Sequence, residues 1–312
     1  MLKVSARGLV AHEFKKEALI ALDSEGSTYR PELWNKIASV GWLGILIPEQ
    51  YGGEGRNLTD TAILFEELGR GPVPGPYFSS AVLGSLIILE GGTEEQKLRI
   101  LPEVASGQMV LALANTEAEY GWGSQSIKLR AQKRSNVFTL TGTKVFVRDV
   151  EGATHLVCTA KLDDERVCLF LLDSTSPGVS IRPLHGFTTG VFEVRLEAVH
   201  VPDSNIIGIG SDDGWAVLNR AIAKAIPVLC AYKLGGCDKV LEMSLDYSKS
   251  RIQFGGPIGR FQRVQDHIIE MLNQRDAVRW ITYETLWKLD SGKAASTNAH
   301  MAKAVASEGY YV

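Results

Sequence analysis

The 312 residues carry 33 Lys and Arg against 36 Asp and Glu, a net charge of -3, and 45% of them are apolar. Domains of ~100–200 residues make two or three the expectation for this length, and the composition is that of a globular chain, neither disordered nor collagen-like. With no overall positive field to hold a phosphate backbone, the charge argues against a nucleic-acid partner. The longest apolar run, Val82–Leu89, contains Gly84 and Ser85, well short of the ~18–20 residues of a membrane span. The first residues, MLKVSARGLVAHEFKK, are basic but lack an apolar core, so a signal peptide is not expected and the chain reads as cytoplasmic. Cys158, Cys168, Cys230 and Cys237 form no CxxC pair, which fits a reducing compartment.

In chain order, residues 1–110 read as helical. Pro31 suits a first helical position, with Leu33, Trp34 and Ile37 following and Gly41 ending the helix. Asn57 or Thr59 can cap the next helix, which Gly69 stops. A third covers Phe78–Glu90. Thr93 and Gln96 have the spacing of a capping box, each able to satisfy an orphan N–H. From Met109 to Val201 the apolar period changes to two, in segments such as VLALANT, VFTLTG, TKVFVRD, HLVCTAK, RVCLFLLD and FEVRLEAVHV. Many short strands without intervening helices predict an antiparallel sandwich or barrel over 111–208. Beyond Pro202 the helical period returns. One long helix is expected from about Asp213 to Ser250, with Pro227 inside it, a second from Ile258 to Leu289, and a third from Ser296 or Thr297. The third has no stop signal. Residues 209–312 therefore read as an incomplete bundle that further chain or a partner completes.

Motifs narrow the chemistry. Gly208-Ile-Gly210 has no βαβ unit around it and reads as a strand-to-helix turn. GxxxxGK[ST], HExxH and GxSxG are absent, and the six histidines are scattered, so no metal site is expected. The break Ser250-Arg-Ile-Gln-Phe-Gly-Gly-Pro-Ile-Gly-Arg-Phe-Gln262 presents donors and aromatics between two helices. The Arg251 fork and a helix N-terminus suit an anion, and an ordinary connection with a solvated Arg251 fits the same residues equally well. Leu113-Ala-Asn-Thr-Glu117 and Lys144-Val-Phe-Val-Arg-Asp149 end strands with polar and aromatic groups that could wall a flat ring.

Together GWLGILIPEQYGGEG (41–55), FEELGRGPVPGPYFSS (65–80), GTEEQKLRILPEVASGQ (92–108), ALANTEAEYG (112–121), LTGTKVFV (140–147), EVRLEAVHVP (193–202) and SRIQFGGPIGRFQRVQ (250–265) resemble the acyl-CoA dehydrogenase family, in chain order over nearly the whole sequence. The resemblance implies an α+β fold: an N-terminal helical domain (1–110), a middle antiparallel β-barrel (111–208) and a C-terminal four-helix bundle (209–312), here incomplete. It implies FAD between the barrel of one subunit and the bundle of its neighbour in a homo- or hetero-oligomer, dimer or tetramer. Leu113 and Thr116 would meet the flavin pyrimidine edge, with Phe146, Val147 and Arg148 flanking the ring. Arg251, Gln253, Phe254, Phe261 and Gln262 would meet the FAD of the adjacent subunit. The implied reaction is α,β-dehydrogenation of an acyl-CoA to a trans-2-enoyl-CoA in fatty-acid degradation, with an electron-transfer flavoprotein as electron acceptor.

The sequence departs from the family pattern at several places. Trp122 stands where a serine is expected, Phe146 where a tryptophan is usual and Arg148 where a threonine is usual. Abstraction of the Cα proton needs a carboxylate. Yet Asn219–Leu229 on the first long helix holds no Asp or Glu, and by the resemblance Ala225 and Ile226 stand near the family's alternative position, Ile226 where an arginine is common. No catalytic residue is assigned. These departures resemble the subunits of heteromeric acyl-CoA dehydrogenases, in which one chain carries the base and the other completes the binding sites. A non-catalytic partner subunit is therefore the alternative, and an oxidase or monooxygenase on the same fold is a third reading.

Overall fold

The computed structural model describes residues 2–119, 121–186, 189–208 and 213–311. Six helices come first: α1 (Leu2–Glu13), α2 (Lys16–Glu25), α3 (Pro31–Ser39), α4 (Leu58–Arg70), α5 (Ser85–Gly91) and α6 (Glu94–Ala105). The strands β1 (Leu111–Ala114), β2 (Arg130–Arg134), β3 (Val137–Arg148), β4 (His155–Lys161), β5 (Val167–Asp173), β6 (Val179–Pro183), β7 (Val191–Pro202) and β8 (Ile206–Ile207) follow. Then come α7 (Gly214–Ser250), a short hairpin of β9 (Ile252–Gln253) and β10 (Gly256–Pro257), α8 (Gln262–Asp290) and α9 (Ser296–Tyr311). This is the expected α+β order of helices, sheet and helices. Gly210, in the rejected nucleotide-loop motif, and Tyr120, in the ALANTEAEYG match, lie outside the described residues.

Packing divides the chain into two compact units. One comprises residues 17–56 and 74–222, the other 1–16, 57–73 and 223–312. The first unit is built on an eight-stranded sheet of order β6-β7-β3-β2-β4-β5-β8, with β1 paired to β4. Most pairs are antiparallel, as expected from the close spacing of the strands. β1–β4 and the single β2–β4 register are parallel, which makes the sheet mixed. Leu140, Leu156, Phe170, Val194 and Leu196 fill its core. In the same unit the Trp34 side chain, 1% exposed, donates from Nε1 to the Gly107 carbonyl at 2.9 Å and stacks on Tyr77 at 5.3 Å. The capping box at α6 is complete. Thr93 Oγ1 accepts from Gln96 N–H at 3.2 Å, and Gln96 Oε1 accepts from Thr93 N–H at 3.0 Å. The expected Phe78–Glu90 helix starts instead as a π-helical stretch, Tyr77–Gly84, before tightening into α5. Such wide turns are rare and concentrate at functional sites.

The second unit is helical. Asn57, rather than Thr59, caps α4 through its Oδ1 and the Asp60 N–H at 2.8 Å, because Thr59 is bonded to Asp290 instead. α4 and α7 touch backbone to backbone. A Cβ at Gly69 would come within 1.8 Å of the Tyr232 carbonyl oxygen, and one at Gly235 within 1.8 Å of the Glu66 carbonyl oxygen. Only glycines permit that approach. Glu66 and Glu67 are 2% and 1% exposed, a placement carboxylates tolerate only when paired. Glu66 accepts from Lys3 and from the Tyr283 hydroxyl, each at 2.7 Å, and Arg7 grips Glu67 bidentately at 2.8 and 2.9 Å. Burial pushes the Glu66 carboxyl up, but Lys3 and Tyr283 outweigh it and hold the group below its ordinary value. α7 runs without a break through Pro227. Its length and its most apolar window, of mean hydropathy 1.2, would pass for a membrane span, but half of that window is buried, and a core helix passes the same test.

Candidate functional site

β1 delivers Asn115, Thr116 and Glu117 to the edge of β3. The Val145 N–H donates to the Thr116 carbonyl at 2.8 Å, tying the two segments together at that residue. A buried lysine fixes the rest. Lys144 is fully inaccessible, and its ammonium donates to Glu117 Oε1 at 2.7 Å, Thr159 Oγ1 at 3.0 Å and the Asn115 carbonyl at 3.3 Å. Glu117 also accepts from the Lys128 and Leu129 N–H groups at 2.9 and 3.1 Å. All three ammonium protons are used, so the pair is fully satisfied and locks Asn115–Glu117 in one conformation.

Immediately after Lys144 the β3–β7 register slips, between Lys144 and Val147. Phe146 sits at this bulge with φ of +56° and is 59% exposed. A bulky residue in the left-handed region is strained, and bulges of this kind re-aim a side chain. Thr116, Phe146 and Arg148 line one cavity of 360 Å³ together with Leu184, His185, Gly186 and Val191. Three of the five residues expected on the sheet are thus brought to one place. Val147 points into the sheet core at 1% exposure, so its side chain takes no part in the cavity. Leu113 lies half-buried on β1, opposite Val157 of β4. Beside Thr116, Asn115 Oδ1 is buried with no hydrogen-bond partner among the described residues. A buried amide oxygen left unsatisfied costs ~1–3 kcal/mol.

The next residue, Asp149, also has positive φ, +60°, and accepts from the Ser79 hydroxyl on the π-helical stretch. Burial raises its carboxyl above the usual carboxylate range, against the opposing pull of Ser79 and the Arg148 charge.

The second expected cluster lies on the hairpin. Phe254 and Gly255 have φ of +50° and +80°, the two positive values of a type I′ turn joining β9 to β10. Phe254 is 85% exposed. It meets Phe261 edge-on at 6.0 Å, and Arg260 lies 5.0 Å over the Phe261 ring while donating to the Phe254 carbonyl. Arg251, Gln253 and Gln262 are exposed around them. The hairpin therefore gathers the five residues into one exposed aromatic and polar surface. Elsewhere Trp122 is exposed, and on α7 Ala225 is buried while Ile226 packs on the cluster of Cys230, Leu234 and Val278. The stretch lacking a carboxylate in sequence thus puts apolar side chains at these two positions.

Sequence reasoning missed the grouping of Lys144 with Glu117 and Asn115, and the pairing of Asp149 with Ser79. Their signal was present in part. Lysine in the middle of an otherwise alternating strand, with a glutamate just past a neighbouring strand, allows a buried pair without specifying one.

Acyl-CoA dehydrogenase N-terminal and C-terminal domain models match residues 1–108 and 212–311. An acyl-CoA dehydrogenase of Bacillus subtilis (strain 168) is 29% identical over 288 residues, covering 89% of this chain and 76% of its own length. The mitochondrial isovaleryl-CoA dehydrogenase of Pongo abelii is 30% identical over 299 residues, covering 92% of this chain and 70% of its own. The solved structure of PigA with FAD and proline aligns with a TM-score of 0.90 at 26% identity, covering 99% of this chain and 83% of that one. The chain belongs to the acyl-CoA dehydrogenase family.

Proposed function

We propose that this chain is a subunit of an FAD-dependent dehydrogenase that oxidises the Cα–Cβ bond of an acyl-CoA thioester. The observation that carries the reading is the cavity at the β3 bulge, where Thr116, Phe146 and Arg148 converge. That set suits the flavin ring: an apolar face from Phe146, a hydroxyl from Thr116 and a guanidinium from Arg148. FAD, when bound, would supply the hydride acceptor. Around it the chain's own groups have separate tasks. Phe146, held out by its strained backbone, walls the ring. Thr116, next to the Lys144–Glu117 pair, would orient its polar edge without reorganising. Arg148, on the cavity wall, would add positive charge beside a bound flavin. The exposed cluster Arg251, Gln253, Phe254, Phe261 and Gln262 would receive the FAD of a neighbouring subunit, with an electron-transfer flavoprotein as the next acceptor.

The apolar character of α7 at Ala225 and Ile226 favours a second reading, in which a partner subunit supplies the proton-abstracting carboxylate. One experiment addresses both. The protein is reconstituted with FAD, alone and with a co-expressed homologous subunit, and acyl-CoAs are added without oxygen. Bleaching of the flavin band by the chain alone supports a self-sufficient enzyme, and bleaching only with the partner supports the second reading. If neither bleaches, the proposed reaction is wrong. In a parallel run in air, oxygen consumption without an added acceptor would instead indicate an oxidase.

A further inference from the structure

α7 and α9 bring two lysines to one hydroxyl. Lys233 Nζ donates to Ser307 Oγ at 3.0 Å, and Lys303 Nζ donates to the same oxygen at 2.9 Å. The Ser307 hydroxyl spends its own proton on the Lys303 carbonyl at 2.7 Å, so its oxygen serves only to receive the two ammoniums. They therefore lie within two hydrogen-bond lengths of each other. Both lysines are half-buried. Among the described residues neither forms an ion pair. Glu308, the neighbouring acid in sequence, is exposed. The thiols Cys230 and Cys237 lie close to Lys233; burial raises both, Cys230 to about 11, and Cys237 donates to the Gly309 carbonyl. Burial first, and the facing Lys303 charge second, lower the Lys233 ammonium below its ordinary value.

Each ammonium has three N–H donors and spends one on Ser307, leaving up to two apiece. Like charges held this close at a half-buried site are unfavourable unless a counter-charge joins them or one ammonium gives up its proton. A monodentate carboxylate would answer one of them. A tetrahedral dianion answers both charges and has oxygens enough for the unspent donors, and compact ammoniums are established phosphate ligands. We propose that Lys233 and Lys303 form a binding site for a phosphoryl oxyanion between α7 and α9. The site is independent of the flavin reading.

The test is thermal unfolding of the whole protein in an anion-poor buffer at fixed ionic strength, titrated with inorganic phosphate and, in parallel, with coenzyme A. Wild type shows a saturable rise in midpoint, corresponding at about ten times Kd to a roughly elevenfold shift of the folding equilibrium. Lys303→Met and Lys233→Met lose that rise, while their midpoints without phosphate match or exceed wild type because the repulsion is gone. A lysine-dependent rise with coenzyme A at lower concentration identifies the group as a phosphate of that molecule, and a rise with inorganic phosphate alone identifies a free anion. Should either variant fail to fold, saturable broadening of the phosphorus NMR line by wild type takes its place. No saturable effect in wild type, or an equal rise in both variants, overturns the site.

Discussion

Replacing Lys144 by methionine is the sharpest structural probe of the site. The side chain is fully buried and its ammonium holds Glu117, Thr159 and the Asn115 carbonyl at once. Methionine keeps much of the volume, so packing is nearly conserved and the change is electrostatic. Removing one partner of a buried pair costs ~3–5 kcal/mol because the remaining charge is uncompensated. Glu117 keeps two backbone N–H donors, which places the loss near the lower bound, ~3 kcal/mol. Urea unfolding followed by tryptophan fluorescence measures it, with an unchanged denaturant slope as the check that only stability moved. Adding Glu117→Gln removes the orphaned charge, so the double variant should recover ~1–3 kcal/mol relative to additivity. FAD affinity should fall with Lys144→Met, since Asn115 and Thr116 lose their anchor. A cost below ~1 kcal/mol, or strict additivity, would refute the claim that this pair sets the geometry of the strand end.

Asp149→Asn tests the buried carboxyl. Its folded pKa is raised, so ionisation costs stability above that pKa, and the cost disappears below the ordinary aspartate value of ~3.9. The variant should melt above wild type at neutral pH, with the gap closing as pH falls through the acid range, and a gap independent of pH contradicts the assignment. Tyr283→Phe removes a hydrogen bond to the Glu66 carboxylate and should cost ~1.5–3 kcal/mol in urea unfolding. Because the Glu66 pKa is lowered, the stability it contributes is present above its ordinary value of ~4.3 and is lost as pH drops below it, so the Tyr283→Phe penalty should shrink there too. Gly69→Ala drives a methyl group into the Tyr232 carbonyl and should cost ~3 kcal/mol or more, read as a lower urea midpoint. A loss under ~1 kcal/mol would mean the two helices part easily.

Local signals were the legible ones. Pro31 at a helix start and the Thr93–Gln96 capping box involve neighbours in sequence, and both formed as the pattern required. The seven family segments also located the strand end and the hairpin. What stayed hidden depends on long-range partners. Lys144 in an alternating strand reads as solvent-facing until Glu117 and Thr159 arrive from other segments, and Glu66 and Glu67 are buried only because Lys3, Arg7 and Tyr283 come from elsewhere. The parallel β1–β4 pairing leaves no mark on the period-two pattern, which is the same for either direction. The side-chain direction of Val147 was readable in principle, since alternation puts Phe146 and Arg148 on one face and Val147 on the other. The positive φ of Phe254 was not readable, because a bulky residue in a type I′ turn runs against the usual preference for Asn or Gly.

The central claim, that a flavin ring sits at the β3 bulge, is tested most directly by FAD affinity in the assembled protein. Quenching of flavin fluorescence on titration should give saturable binding in wild type and at least about tenfold weaker binding in both Phe146→Ala and Thr116→Val, a difference of ~1.4 kcal/mol each. Equal affinity in all three proteins, or no saturable binding in any assembly, would contradict the account.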